Sequence, residues 1–154
     1  MDKAVGLLEL ATVAKGYLVA NEIKKNTMID LWLADPICPG RFLLIISGDV
    51  ASIGAAMEMA KAVAGEEILS KGMLPRIDPG VFQALVSPKG FPAGKALGIV
   101  ETLAIAPAIL VADGALKTAQ VELVELRIVG GMGGKALVCF AGEVDMVGAA
   151  LAHI

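Results

Sequence analysis

Aromatic side chains are scarce in this chain of 154 residues: one Trp, one Tyr and four Phe make up 4% of it. An interior must therefore be built from Ala, Val, Leu, Ile and Met, which suits tight packing of helices on a sheet. There is a single histidine, His153, beside the C-terminus, and no Ser, His and acid set or cluster of carboxylates stands at a plausible spacing. Catalysis finds little support in such a sequence, and the chain does not read as an enzyme. No block of Lys or Arg occurs and the net charge is −3. That leaves no electrostatic footprint for nucleic acid or an anionic membrane. Although 56% of residues are apolar and mean hydropathy is +0.75, every apolar run is cut by Glu, Asp, Lys or Gly. Each cut comes well before the roughly 20 residues that a spanning helix needs. Met1 to Lys3 leads directly into a strand-like run without the parts of a secretory leader, so a cytosolic location is expected. Two cysteines, Cys38 and Cys139, lie far apart without a framework pattern. Thiols in the cytosol stay reduced, and a disulfide is the weaker reading.

What the chain does have is an internal repeat. Residues 3 to 37 overlay residues 95 to 129 with a constant shift of 92. Lys3-Ala4-Val5-Gly6-Leu7-Leu8-Glu9 falls on Lys95-Ala96-Leu97-Gly98-Ile99-Val100-Glu101, and Lys25 falls on Lys117. After a loop the shift becomes 94, placing Gly48-Asp49-Val50 on Gly142-Glu143-Val144. A period this long marks duplicated domains rather than a solenoid. The expected division is a first domain over 1–86, a Pro- and Gly-containing linker over 87–94, and a second domain over 95–154. Under the shift of 94, Ile154 answers to Ala60, so the second copy lacks counterparts of residues 61 to 86 and its sheet is expected to stay open. Either a truncated form of a longer protein or another segment filling the gap would account for this.

Within the first copy, residues 3 to 9 read as a buried strand and residues 12 to 25 as a helix. Val13, Tyr17, Ala20 and Lys24 form its stripe, matched by Ile105, Ile109, Ala112 and Leu116. Strands follow near 29 to 34 and 41 to 47, joined by the turn-prone Pro36-Ile37-Cys38-Pro39-Gly40. Asp49 reads as the N-cap of a second helix carrying Val50, Ile53, Met57 and Ala60, matched by Val144, Val147, Leu151 and Ile154. A fourth strand near 68 to 74 completes a strand-helix-strand-strand-helix-strand order. The fold class is α/β in the broad sense: an α+β, ferredoxin-like arrangement with helices on one side of an antiparallel sheet, present twice.

The strand Gly98-Ile99-Val100-Glu101-Thr102, its twin from Gly6, the helix end Ala112 to Lys117 and the helix start Gly48-Asp49-Val50 resemble the shell domains of bacterial microcompartments. More narrowly, the tandem pairing and the loop Ile37-Cys38-Pro39-Gly40-Arg41-Phe42 resemble the iron–sulfur-carrying tandem shell proteins of propanediol-utilisation microcompartments. This resemblance implies a homotrimer of two-domain subunits forming a pseudo-hexagonal tile, with the loops between second and third strands converging on the threefold axis. It implies that Cys38 is a metal ligand, three thiolates meeting at the pore to hold one [4Fe–4S] cluster and leaving one iron for a non-protein ligand. Ile37, Cys38, Pro39 and Gly40 would line the pore with Gly130, Gly131, Met132, Gly133 and Gly134 of the second copy, which offer no thiolate. Lys25, Lys117 and Arg76 would stand at the tile edge, against other shell proteins. An encapsulated redox enzyme would be a further partner, served by electron transfer or cluster delivery across the shell.

Simpler readings stand beside these. A lone cytosolic cysteine is ordinarily a small buried hydrophobe or an inert surface thiol. Pro39 and Gly40 make a turn in any protein, and Cys139 lies in an apolar strand where packing explains it. The Gly130 to Gly134 loop joins two strands and leads into no helix, so it is not a dinucleotide fingerprint. Lys25, Lys117 and Arg76 read alone as solvated charges. Glu9 and Glu101, matched by the repeat, read as satisfied carboxylates at strand ends. A metal-free, metabolite-conducting shell pore and a ferredoxin-like regulator binding a small molecule both remain open.

Overall fold

The structure is a computed structural model that describes residues 3–128 and 131–154. The chain divides into two compact units, Met1–Ile77 and Asp78–Ile154.

The first unit runs β1 (Ala4–Leu10), α1 (Val13–Asn26), β2 (Asp30–Ile37), β3 (Arg41–Gly48), α2 (Val50–Ala64), a 3-10 turn (Gly65–Glu67) and β4 (Ile68–Leu74). Its four strands lie in the order β2-β3-β1-β4. Every neighbouring pair is antiparallel, as the ferredoxin-like reading requires. β1 is buried along its whole length, which explains why it is a continuous apolar run rather than an alternating one. Thr12 caps α1 by accepting from the Lys15 N–H at 3.4 Å. Asp49 caps α2, accepting from the Ser52 N–H at 2.8 Å.

Leu8, Leu10, Val19, Ile23, Phe42, Leu44, Ile46, Ile53, Ala56 and Ala60 form the core between this sheet and its helices. Each Leu or Ile withdrawn from water in this way contributes about 1.5–3 kcal/mol. The buried face of α1 is Gly16, Val19, Ala20 and Ile23, not the stripe through Tyr17 and Lys24. Tyr17 is 55% exposed and rests edge-on against Phe42, ring centroids 4.9 Å apart. Likewise α2 and α5 (Val144–His153) bury Ile53, Ala56, Ala60, Val147 and Ala150 while Val50, Val144, Leu151 and Ile154 stay open. The buried faces mix small residues with Val19, Ile23, Ile53 and Val147, and the small ones stand where bulk at the contact comes from the strands. A Cβ on Gly16 would sit 2.1 Å from the Phe42 ring, and one on Gly98 would sit 2.3 Å from Phe140.

The second unit runs α3 (Pro79–Val86), β5 (Ala96–Thr102), α4 (Ile105–Thr118), β6 (Val121–Arg127), β7 (Ala136–Gly142) and α5. Its sheet has the order β5-β7-β6. Among the described residues no fourth strand covers the outer edge of β5, the edge that β4 covers on β1. The boundary falls at Ile77, so the helix placed in the first domain by the 1–86 division belongs to the second unit. Asp78 caps α3 and its own N–H donates to Asp113 Oδ1 at 2.7 Å, while the Lys89 N–H donates to the Val124 carbonyl at 2.8 Å. These bonds tie residues 78–89 to α4 and β6.

Gly16→Ala is expected to destabilise the first unit by about 1–3 kcal/mol, because overpacking outweighs the roughly 1 kcal/mol gain in helix propensity. At the corresponding positions the second unit has Ala108 and Ala136, both fully buried. The double variant G16A/F42A should therefore cost less than the sum of its single changes in urea unfolding; strict additivity would contradict the packing described. Hydrogen bonds from the Ser52 hydroxyl and N–H hold the Asp49 carboxyl below its ordinary pKa. A depressed carboxyl adds stability above its unfolded pKa and loses it as pH falls through the folded value. Asp49→Asn, which keeps an acceptor, is thus expected to lower thermal stability at neutral pH, by a margin that narrows as pH falls through the folded value.

Candidate functional site

The turn between β2 and β3 carries the exposed thiol. The strands close on the pair Ile37↔Arg41, and the Gly40 N–H donates back to the Ile37 carbonyl at 3.0 Å. Ile37 is buried, whereas Cys38, Pro39 and Gly40 are exposed, and the Cys38–Pro39 peptide is cis. Gly40 has φ +87° with open space around a would-be Cβ, so glycine is set here by backbone conformation and not by crowding. Cys139, by contrast, is 2% exposed on β7. Burial first, then the Glu125 carboxylate, pushes its thiol above the ordinary value and leaves it unreactive.

An ion pair stands directly behind the turn. Arg41 Nη1 lies 2.9 Å from Glu9 Oε1, and the Glu9 side chain is 0% exposed. Burying a carboxylate costs several kcal/mol unless a cation and further hydrogen bonds answer it, and removing one partner of such a pair typically costs about 3–5 kcal/mol. The second unit repeats the pair as Lys135 Nζ to Glu101 Oε1 at 2.7 Å, with side chains 47% and 53% exposed, where an ion pair is worth little. Its turn is built differently. Gly131, Gly133 and Gly134 all have positive φ, Met132 is half-buried, and the Lys135 N–H donates to the Met132 carbonyl at 3.1 Å. Gly130 lies outside the described residues.

The residues expected at a tile edge occupy the other end of each sheet. Lys25 is exposed in the last turn of α1, which leads to the start of β2 beside Ser47, and Arg76 follows β4 where Leu74 pairs with Val5. Both positions are roughly 20 Å from the Cys38 turn, the length of a seven-residue strand. Lys117 ends α4 in the same way, before Val121 pairs with Gly142. Its Nζ is 2.6 Å from Asp113 Oδ2. Asp113, 3% exposed, therefore bridges the end of α4 and the Asp78 N–H. Two roles escaped the sequence reading. Asp113 was visible only as a carboxylate four residues before Lys117, and the partner of Glu9 only as the first basic residue after the turn.

No group of three or more His, Cys, Asp or Glu able to hold a metal ion exists among the described residues. Cys38 is an exposed free thiol, and among the described residues it belongs to no such group. Such a donor fits a cluster only if other copies of the chain bring their own thiolates to it.

Residues 4–77 and 96–154 match the BMC domain, so the chain belongs to the BMC-domain family and carries that domain twice. It is 35% identical over 147 residues to the bacterial microcompartment shell protein PduT of Citrobacter freundii, covering 96% of this chain and 80% of that one. A microcompartment protein of known structure from Desulfitobacterium hafniense is 38% identical, with TM-score 0.79 over 99% of this chain and 85% of that one. A double-ringed trimeric shell protein of the RMM microcompartment, 15% identical, shares the fold with TM-score 0.77 over 99% of this chain and 80% of its own. No helix among the described residues is long and apolar enough to cross a membrane.

Alkylation of the folded, metal-free protein by iodoacetamide, read by peptide mass spectrometry, is expected to modify Cys38 alone and to reach Cys139 only in denaturant. Equal native labelling of both would contradict the burial of β7.

Proposed function

We propose that the chain is a structural shell protein that assembles as a homotrimer of two-domain subunits into a pseudo-hexagonal microcompartment tile, with Cys38 of each copy ligating one [4Fe–4S] cluster at the central pore. The observation that carries this reading is the segregation within each unit: the turns between the second and third strands lie at one end of the sheet, and Lys25, Arg76 and Lys117 at the other. A tile needs one end of every domain at its centre and the opposite end at its rim. Three two-domain chains provide six such ends, and only three of them bear a thiol.

When bound, the cluster supplies one-electron transfer. The chain's part is to hold Cys38 at the tip of a three-residue turn, exposed and pinned by the Gly40 to Ile37 hydrogen bond. The remaining pore lining is Ile37, Pro39 and Gly40 together with the Gly130 to Gly134 loop. Lys25, Lys117 and Arg76 meet neighbouring shell proteins, and an encapsulated redox enzyme receives electrons or clusters through the tile.

Anaerobically purified protein should be brown, contain iron and sulfide, and run as a trimer, while Cys38→Ser should be colourless at the same size. Colourless, iron-free parent protein after anaerobic reconstitution would overturn the cluster and leave a metal-free, metabolite-conducting tile. Discrete particles with no sheets or tubes at high concentration would overturn the tile itself and favour a ligand-binding regulator.

A further inference from the structure

The Glu9–Arg41 pair does more than its counterpart in the second unit, although the repeat matches the two: a glutamate one residue before the end of the first strand and a cation at the start of the third, Arg41 as its first residue and Lys135 just before it. In the second unit the pair is half in water, lysine takes the place of arginine, and the turn before it has no thiol. In the first unit the carboxylate is wholly buried, and an arginine reaches it from the rung that closes the Cys38 turn, Ile37↔Arg41. An apolar pair of similar volume would hold strands together at least as well, since the desolvation of a buried ion pair offsets its attraction. A buried pair is better suited to fixing one geometry among several, because guanidinium and carboxylate bind with defined directions. The turn itself contributes little to that end. Cys38, Pro39 and Gly40 are exposed, and a single backbone hydrogen bond spans them.

We propose that Glu9 and Arg41 form a positioning pair that fixes the base of the β2–β3 turn and so sets the direction in which Cys38 presents its thiol. The inference rests on the proposed function for its purpose, the meeting of three thiolates on one cluster, but not for its geometry. Arg41 anchors the first residue of β3 through its side chain. Ile37 anchors the last residue of β2 by burial, and the two flank the exposed tip on either side. With the pair absent the strands still register through their backbone ladder, but the last rung frays and Cys38 samples several directions.

The test compares the parent with E9L/R41M, which replaces the pair by apolar side chains, and with R41K, which restores the cation found in the second unit. All three should keep the trimer and a Tm close to that of the parent. In metal-free protein, hydrogen exchange at the Gly40 amide and alkylation of Cys38 should be about tenfold faster in E9L/R41M, as expected for loss of one charge-assisted hydrogen bond, with R41K in between. In reconstituted protein the cluster should be lost to air faster in the same order. Parent-like exchange and alkylation in a folded E9L/R41M trimer would overturn the positioning role. If E9L/R41M does not fold, R41K and Glu9→Gln provide the same comparison. A parent that takes up no iron would defeat the cluster reading alone, since the metal-free measurements would still decide the role of the pair.

Discussion

A carboxylate taken wholly out of water must be met by a cation and by hydrogen bonds, and in the first unit Arg41 brings that cation to Glu9. Because Glu9 closes β1 and Arg41 opens β3, the contact holds the two strands at the end where the sheet hands over to the Cys38 turn. At that same end lie the closing pair Ile37↔Arg41, the turn hydrogen bond at Gly40, and an exposed thiol at the tip. Arginine and lysine differ here in kind. A guanidinium offers directed donors that persist in a buried site, whereas the ammonium of Lys135 sits in water beside a half-exposed Glu101.

Two copies of one fold have thus diverged at matched positions. The first unit sets glycine on its helix against Phe42 on its sheet, and the second sets Ala108 and Ala136 there and moves its large ring to Phe140 over Gly98. Each solution fills the interval between helix and sheet without a void, which is what close packing demands. The turns diverge further, three residues with a thiol in one and a glycine-rich loop in the other. The opposite ends share a lysine in the last turn of the helix, Lys25 and Lys117.

Most of the fold was legible because the repeat allowed each segment to be read twice. The strand order, the cap at Asp49, and β4 over residues 68–74 are all present in the structure. The stripe through Ile105, Ile109 and Ala112 is buried in α4 as expected, but the faces of α1, α2 and α5 were misjudged by about one residue, since hydrophobicity weights Tyr17, Val50 and Leu151 above Gly16, Ala56 and Ala150. At a tight interface, size decides instead. The domain boundary was misplaced for a related reason: proline and glycine after Val86 mark a loop, but the bonds that assign α3 to the second unit come from Asp113 and Val124, far along the chain. Of the candidate site, the turn and its thiol were visible as a local pattern. The Glu9–Arg41 pair, joining residues 32 apart, and the bridge through Asp113 needed the sheet register and the helix packing before they could be seen.

The central claim, that three Cys38 turns meet on one axis, is tested most directly by pulsed electron spin resonance on metal-free protein labelled at Cys38 with a nitroxide. One narrow, short distance is expected, with a modulation depth set by three coupled spins. A two-spin depth, or distances spread over the width of a tile, would contradict it.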